Sequence, residues 1–298
     1  MTSDTYPSLT RAVGLLLVTL LVAAALAAVT YEALPGWPDI LRMALPTEIA
    51  LALAVVWAVG RSDLGWRRAL AWRGIEARHL MPLFLILVGS LTVFSELYVV
   101  IQKVVPVPAS FERALAELLE LSGPVDAIAT IGVAVVLAPL LEEALFRGAI
   151  LQGFARRYGP RRAALWTAVF FAFFHLYNPW QIIPTFFLGV VLAWLVLTTR
   201  SLWSAIVVHS AFNAASLALF TVELDPGPGA GDAVPWLVAG IVVALLAGSL
   251  ALLGGMVWLE RQTGGGWFED VSADGGPDGD EWVDYETSSG SGPSTARR

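Results

Sequence analysis

Apolar and polar segments alternate along most of the chain. Apolar runs of spanning length occupy eight stretches, of which the second and fifth are the shortest: 11–30, 44–60, 80–104, 125–146, 163–178, 181–199, 202–222 and 235–259. A helix needs about 20 mostly apolar residues to cross the hydrocarbon core of a bilayer. In lipid the backbone must satisfy its own hydrogen bonds, so each run is predicted to be helical. The pattern predicts an all-α, polytopic membrane protein with about eight transmembrane helices.

Composition agrees with this fold class. The 298 residues are 57% hydrophobic and only 14% charged, whereas soluble domains carry about 25% charged residues. The absence of cysteine excludes disulfides and cysteine-based chemistry. The net charge of −7 arises largely in 261–298, which holds eight acidic groups and three arginines and leaves −2 for the rest. This balance does not indicate a nucleic-acid partner.

Basic residues concentrate in alternate loops. They cluster between the second and third runs, between the fourth and fifth, and beside two later runs: Arg61, Arg67, Arg68, Arg73, Arg78, Arg156, Arg157, Arg161, Arg162, Arg200 and Arg261. The opposite loops hold only Arg42, Lys103 and Arg113 as basic residues. The positive-inside rule then predicts a multi-pass protein of the cell membrane, with an even number of spans and both termini in the cytoplasm.

Four regions follow from these patterns. Residues 1–79 are an N-terminal two-span region, 80–222 the core, 223–262 the last transmembrane helix and 263–298 a tail. The first run resembles a signal peptide, but it exceeds the usual 7–15 apolar residues and further spans follow, which favours a retained helix. The tail is rich in Gly, Ser, Asp and Pro and is expected to be disordered.

Residues 110–121 have a different pattern from the spans. Phe111, Leu115, Leu118 and Leu119 share one helical face, and charged residues occupy the other. Ser110 is the expected N-cap. The segment is predicted to be an amphipathic helix on the outer membrane surface.

Two adjacent carboxylates lie inside the fourth apolar run. A charge near the bilayer centre costs at least about 2.5–3.5 kcal/mol on insertion scales, so Glu142 and Glu143 need partners, water or a chemical role. On a helix, Glu143 and Arg147 are four residues apart and are predicted to pair. Glu142 is rotated by about 100° from Glu143. It is then free to point into an intramembrane cavity, where a carboxyl suits general acid–base chemistry.

Two further spans each supply one histidine. His175 ends the fifth run, and His209 lies four residues before Asn213 in the seventh, so that this pair shares a helical face. At 1.5 Å per residue, Glu142 and His175 lie about 20 Å from the basic ends of their helices and His209 about 12 Å. Tilt and packing can bring the four groups into one layer. Such a set can hold an activated water, with or without a metal.

Simpler interpretations compete with this one. His79, at the margin of an arginine-rich loop, is expected to be interfacial. Glu96, within the third run, fits a proton relay, a packing role or the cavity wall. Glu142, Glu143 and Arg147 taken alone fit a structural ion-pair cluster as well as a functional one.

Three ordered motifs resemble those of the CPBP intramembrane proteases. The motifs are Glu142-Glu143-x-x-x-Arg147, Phe171-x-x-x-His175 and His209-x-x-x-Asn213. Each motif alone is weak, but three in order on separate spans make a specific signal across about 80–222. This family includes the type II CAAX prenyl proteases and the bacterial Abi-domain proteins.

The resemblance implies an eight-helix metalloendopeptidase, or one dependent on glutamate, with its active-site cavity inside the membrane. It implies that Glu142 activates the water, that His175, His209 and Asn213 bind a metal or stabilise the oxyanion, and that Glu143, Arg147 and Phe171 support them. His175 and His209 are then the metal-ligand candidates. A divalent metal, zinc first, is the expected cofactor, although two histidines with Glu and Asn make an unusual zinc set.

Substrate expectations follow the resemblance. Eukaryotic members remove the last three residues of prenylated CAAX proteins. The Arg and Ala content of this chain looks bacterial, so we expect a peptide or protein C-terminus in the membrane as substrate, in CAAX-like processing or in peptide or sorting-signal maturation. The alternative is a non-catalytic transporter or bacteriocin-immunity protein that uses the same carboxylates as a proton or ligand site.

Overall fold

The structure, a computed structural model, describes residues 6–62, 65–119, 121, 123–223 and 234–264. The predicted tail lies outside the described residues from residue 265 onward. The described residues form helices, and none of them forms a strand. The helices, numbered in chain order, are α1 (Leu9–Ala33), α2 (Asp39–Gly60), α3 (Trp66–Ala69), α4 (Leu80–Val104), α5 (Ala109–Leu118), α6 (Pro124–Tyr158), α7 (Pro160–Phe174), α8 (Ile182–Thr199), α9 (Leu202–Glu223) and α10 (Val234–Thr263). The predicted all-α polytopic fold is confirmed.

Seven of the eight predicted spans are helices long and apolar enough to cross a membrane, judged on the described residues. The exception is α7, which covers the fifth predicted span with 15 residues. At 1.5 Å per residue it is about 22 Å long, short of the roughly 30 Å hydrocarbon core. The helix ends immediately before His175. The chain then turns without helix as far as Asn178, and a short 3₁₀ helix, Pro179–Gln181, follows. In it, Nε1 of Trp180 donates to the carbonyl of Val105 at 2.8 Å, where α4 ends.

Arginine-rich segments that are distant in sequence meet at one end of the helices, which we call the basic end. The backbone N–H of Leu202 donates to the carbonyl of Ala71 at 2.9 Å, and the Ser201 hydroxyl donates to the carbonyl of Arg73. The start of α1 reaches the same end, because the N–H of Leu9 donates to the Tyr158 hydroxyl at 3.0 Å. These contacts place the segments around 61–78, 156–162 and 200 on one side, as the charge pattern predicted.

The opposite end carries the short helix α5. The aromatic rings of Phe111 and Trp180 lie 5.0 Å apart, which ties α5 to the segment after α7. The predicted N-cap Ser110 is wrong. The N-cap is Pro108, two residues earlier, because the carbonyl of Pro108 already accepts from the N–H groups of Phe111 and Glu112 at 2.9 and 3.1 Å. Ser110 therefore lies inside the first turn.

α8 occupies the centre of the helix packing, against α4, α7 and α9. Leu192, Trp194 and Leu195 are fully buried on it. On its outer flank, α4 packs against α10 at very short range. A Cβ on Gly89 would lie only 2.6 Å from the carbonyl oxygen of Gly248, so this crossing requires glycine. α2 and α9 both pack along α6, and these three helices with α7 frame the polar residues of the interior.

Candidate active site

The helix that carries the two carboxylates is not a regular α-helix. α6 contains two π-helical stretches, Gly132–Leu137 and Ala144–Ile150, on either side of the turn that holds Glu142 and Glu143. The wider π turn leaves backbone carbonyls free of their usual partners, and such turns are frequent at functional sites. Side chains bind two of these carbonyls: the Asn213 amide donates to Ala134 at 2.9 Å and the Gln152 amide to Arg147 at 3.3 Å.

Glu143 and Arg147 form the ion pair that their spacing predicted. Nη1 of Arg147 donates to Oε1 of Glu143 at 2.9 Å, and both side chains are fully buried. Nη2 of Arg147 donates to the carbonyl of Gly189 on α8 at 3.1 Å. The guanidinium also lies 4.2 Å from the ring centre of Phe171 on α7. The pair therefore holds α6, α7 and α8 in fixed relation.

His209 joins this pair from α9. Its Nδ1 lies 2.9 Å from Oε1 of Glu143, the same oxygen that accepts from Arg147. A carboxylate can only accept, so Nδ1 carries a hydrogen, and in the neutral tautomer the lone pair lies at Nε2. Glu143 thus fixes both the orientation and the tautomer of His209.

Glu142 occupies a different environment from its neighbour. Its side chain is 13% exposed, whereas that of Glu143 is completely enclosed. Oε2 of Glu142 lies 3.9 Å from Nε2 of His209, too far for a direct hydrogen bond. The two adjacent side chains therefore differ in exposure and in hydrogen-bond partners, as the rotation of about 100° between them predicted.

Phe171 brings the two histidines to one layer. Its ring centre lies 4.6 Å from the imidazole of His175 and 5.7 Å from that of His209. Nδ1 of His175 lies 2.8 Å from the carbonyl oxygen of Phe171. Because a carbonyl only accepts, neutral His175 also presents its lone pair at Nε2.

The comparison with known families bears on the same residues. Residues 124–215 match the family model described as type II CAAX prenyl endopeptidase Rce1-like. We call these 92 of the 298 residues the Rce1-like domain, after the model that they match. No curated protein and no solved structure matches the chain. The match supports the resemblance to the CPBP and CAAX protease family.

The Rce1-like domain comprises all of α6, α7 and α8, and the first 14 residues of α9. It includes Glu142, His175, His209 and Asn213, and the structure joins the first three through Glu143 and Phe171. The hydrogen bond of Asn213 runs to Ala134, eight residues before Glu142 on α6. Asn213 thus contacts the helix that bears Glu142 but at a different turn.

A residue outside the Rce1-like domain also reaches this region. Glu48 on α2 is buried and interacts electrostatically with Glu142. The sequence shows Glu48 as an acid inside the second apolar run. An acid near the start of such a run is ordinarily interfacial, and nothing in the sequence shows that this face of α2 packs against α6.

The described side chains of this site offer few donor atoms for a metal ion. Nδ1 of His175 and of His209 each has a protein partner, which leaves one nitrogen per ring. In the part of the chain that the structure describes, no three His, Cys, Asp or Glu side chains come together in an arrangement that could hold a metal ion. A catalytic zinc takes three protein ligands. The residues as placed do not fit that set, and we derive no step through a metal.

Proposed function

We propose that this protein is an intramembrane endopeptidase in which Glu142 activates a water for attack on a peptide bond. The observation that carries the proposal is the gap between Oε2 of Glu142 and Nε2 of His209, 3.9 Å wide, in an enclosed polar site. The Rce1-like match supports a protease of the CAAX type. The assignment of the water, the base and the substrate is our proposal.

The gap suits a water molecule. A water oxygen about 2.8 Å from each atom would subtend an angle of about 90° between them. Both atoms are acceptors, because Glu142 is a carboxylate and His209 has its hydrogen on Nδ1. One water donates a hydrogen to each and keeps its lone pairs free for a carbonyl carbon.

Proton transfer then follows from the same geometry. Glu142 takes one proton as the water attacks, and it returns that proton to the amine as the peptide bond breaks. His209 cannot swing toward Glu142, because Glu143 holds its other nitrogen at 2.9 Å. Arg147 fixes Glu143 in turn, so the base and the water position rest on a rigid ion-pair network.

The developing oxyanion needs a donor in this dry site. Asn213 uses one amide hydrogen for the Ala134 carbonyl and keeps a second. Neutral histidines present lone pairs at Nε2, which makes the Asn213 amide the best neutral donor among the four predicted site residues. We therefore assign the oxyanion contact to Asn213 and a water-orienting role to His209, with His175 beside it.

The position of the site favours a membrane-borne substrate. Glu142 lies 16 residues before Tyr158, the end of α6, or about 24 Å from the basic end. With the basic end in the cytoplasm, as the positive-inside rule requires, the site is near the bilayer midplane. The substrate class we propose is a peptide or protein C-terminus embedded in a bacterial cell membrane.

The test uses purified full-length protein in proteoliposomes with a library of membrane-anchored peptides, and mass spectrometry of the products. The wild type should cut a subset of peptides, and Glu142→Gln should lower the rate by at least about 100-fold, because a general base contributes that much. Glu32→Gln, at an exposed acid near the end of α1, is the matched control and should leave the rate unchanged. A parallel series with a chelator and with added zinc measures whether the cleavage rate depends on a metal.

Equal cleavage by wild type and Glu142→Gln would overturn the assignment of the base. Absence of cleavage across the library, with proton or solute flux that depends on Glu142, would favour the transporter alternative.

A further inference from the structure

Glu48 is a buried acid that the ion-pair network does not include. It lies on α2, outside the Rce1-like domain, and only 5% of its surface is exposed. Its Oε2 is enclosed and has no hydrogen-bond partner. A buried polar atom without a partner carries a substantial free-energy cost, more so within a membrane. Such a group is kept where it has a role that packing alone does not supply.

The surroundings of Glu48 indicate that role. α2 packs against α6 along residues 138–143, the turn that carries Glu142. Glu142 and Tyr177, which lies in the segment after α7, are near enough to Glu48 for their charges to act on one another. Three parts of the chain therefore contribute to the space around the two carboxyls.

Two carboxylates that share such a space repel each other strongly. The arrangement is favourable when one of them is neutral, because a carboxylic acid then donates a short, strong hydrogen bond to its ionised neighbour. Nε2 of His209 lies 3.9 Å from Oε2 of Glu142, and the Arg147 guanidinium pairs with the adjacent Glu143. Glu48 has no such partner, so it is the member expected to hold the proton.

We propose that Glu48 is a positioning residue of this site. As a neutral carboxyl it donates a hydrogen bond to a water that bridges to Glu142, and so turns the remaining Glu142 oxygen toward the water beside His209. The inference rests on the proposed hydrolysis and adds to it a residue from a helix outside the matched domain.

Three variants separate positioning from packing. Glu48→Leu fills the same space without a donor and should lower kcat roughly tenfold or more, with little change in KM, because a misplaced base costs rate rather than binding. Its melting temperature should stay at or above that of the wild type, since an apolar side chain of similar size replaces a buried carboxyl. Glu48→Gln keeps a neutral donor and should restore kcat to within about threefold of wild type. Glu32→Leu, at an exposed acid near the end of α1, controls for loss of an acid and should leave kcat unchanged.

The kinetic arm uses the library peptide that the wild type cuts fastest. Wild-type kcat in Glu48→Leu would overturn the inference, and so would an equal loss in Glu48→Gln and Glu48→Leu.

Infrared spectroscopy tests the same contact without turnover. The carbonyl stretch of a protonated carboxyl should vanish in Glu48→Gln and shift in Glu142→Gln, because the acceptor of its hydrogen bond changes. A missing band, or one that Glu142→Gln leaves unmoved, would overturn the inference. Failure of the proposed function is a separate result: it appears as a wild type that cuts no peptide, whatever the infrared bands show.

Discussion

At the scale of single residues, one carboxylate organises the site by accepting two hydrogen bonds. Oε1 of Glu143 accepts from Arg147 and from His209, each at 2.9 Å. The spacing of Glu143 and Arg147 predicted the first of these contacts. The second joins residues 66 positions apart, and it depends on how α9 packs on α6. Local periodicity therefore predicts contacts within a helix but not the partner that a neighbouring helix brings.

Loss of Arg147 should destabilise the fold. Arg147→Ala leaves Glu143 charged and enclosed and frees the Gly189 carbonyl, which should lower the free energy of unfolding by about 3–5 kcal/mol. Thermal melting and folded yield in detergent measure the effect. Arg78→Ala is the control, because it breaks the exposed pair with Glu76 and should cost less than about 1 kcal/mol. Equal melting temperatures for the two variants would contradict a structural role of the buried pair.

At the scale of elements, α6 owes its site to its two π-helical stretches. These stretches offer free carbonyls next to the turn that carries Glu142 and Glu143, and Asn213 binds one of them from α9. Sequence periodicity predicted a helix here but no change in its winding. The apolar pattern of 125–146 is equally compatible with α and π turns, so the irregularity follows from packing between helices.

Asn213 should therefore affect both packing and rate. Asn213→Asp cannot donate to Ala134 and places a negative charge near the developing oxyanion, so it should lower kcat further than Asn213→Ala does. Single-turnover rates in proteoliposomes compare the two. Gln152→Ala removes the corresponding contact at the second stretch and should lower stability with little effect on kcat. If Asn213→Asp were as active as Asn213→Ala, the oxyanion role of Asn213 would be wrong.

At the scale of the whole molecule, hydropathy and charge predicted most of the architecture. Seven predicted spans are present, and the arginine-rich segments meet at one end. The short helix α7 departs from the prediction, because apolar residues continue past its end while the backbone turns at His175. The sequence did not predict the position of Glu48 for a related reason. Packing between helices decides which face of a helix its neighbours contact, and the sequence of one helix does not show this.

The absence of cysteine makes the orientation directly testable. Gly74 lies near the basic end and Ser110 lies on α5, and both positions are exposed. A single cysteine is introduced at each position in turn. An impermeant maleimide added to intact cells should label Ser110→Cys and spare Gly74→Cys until the membrane is opened. Wild-type protein is the unlabelled control. Labelling of Gly74→Cys in intact cells would show that the basic end faces outward and would contradict the proposed orientation.

Cleavage in heavy-oxygen water tests the role of Glu142 most directly. Proteoliposomes with the wild type should yield a product whose new C-terminal carboxylate carries one heavy oxygen from the attacking water. Glu142→Gln should form that product at least about 100-fold more slowly. Cleavage by Glu142→Gln at the wild-type rate, or a wild-type product without heavy oxygen, would contradict water activation by Glu142.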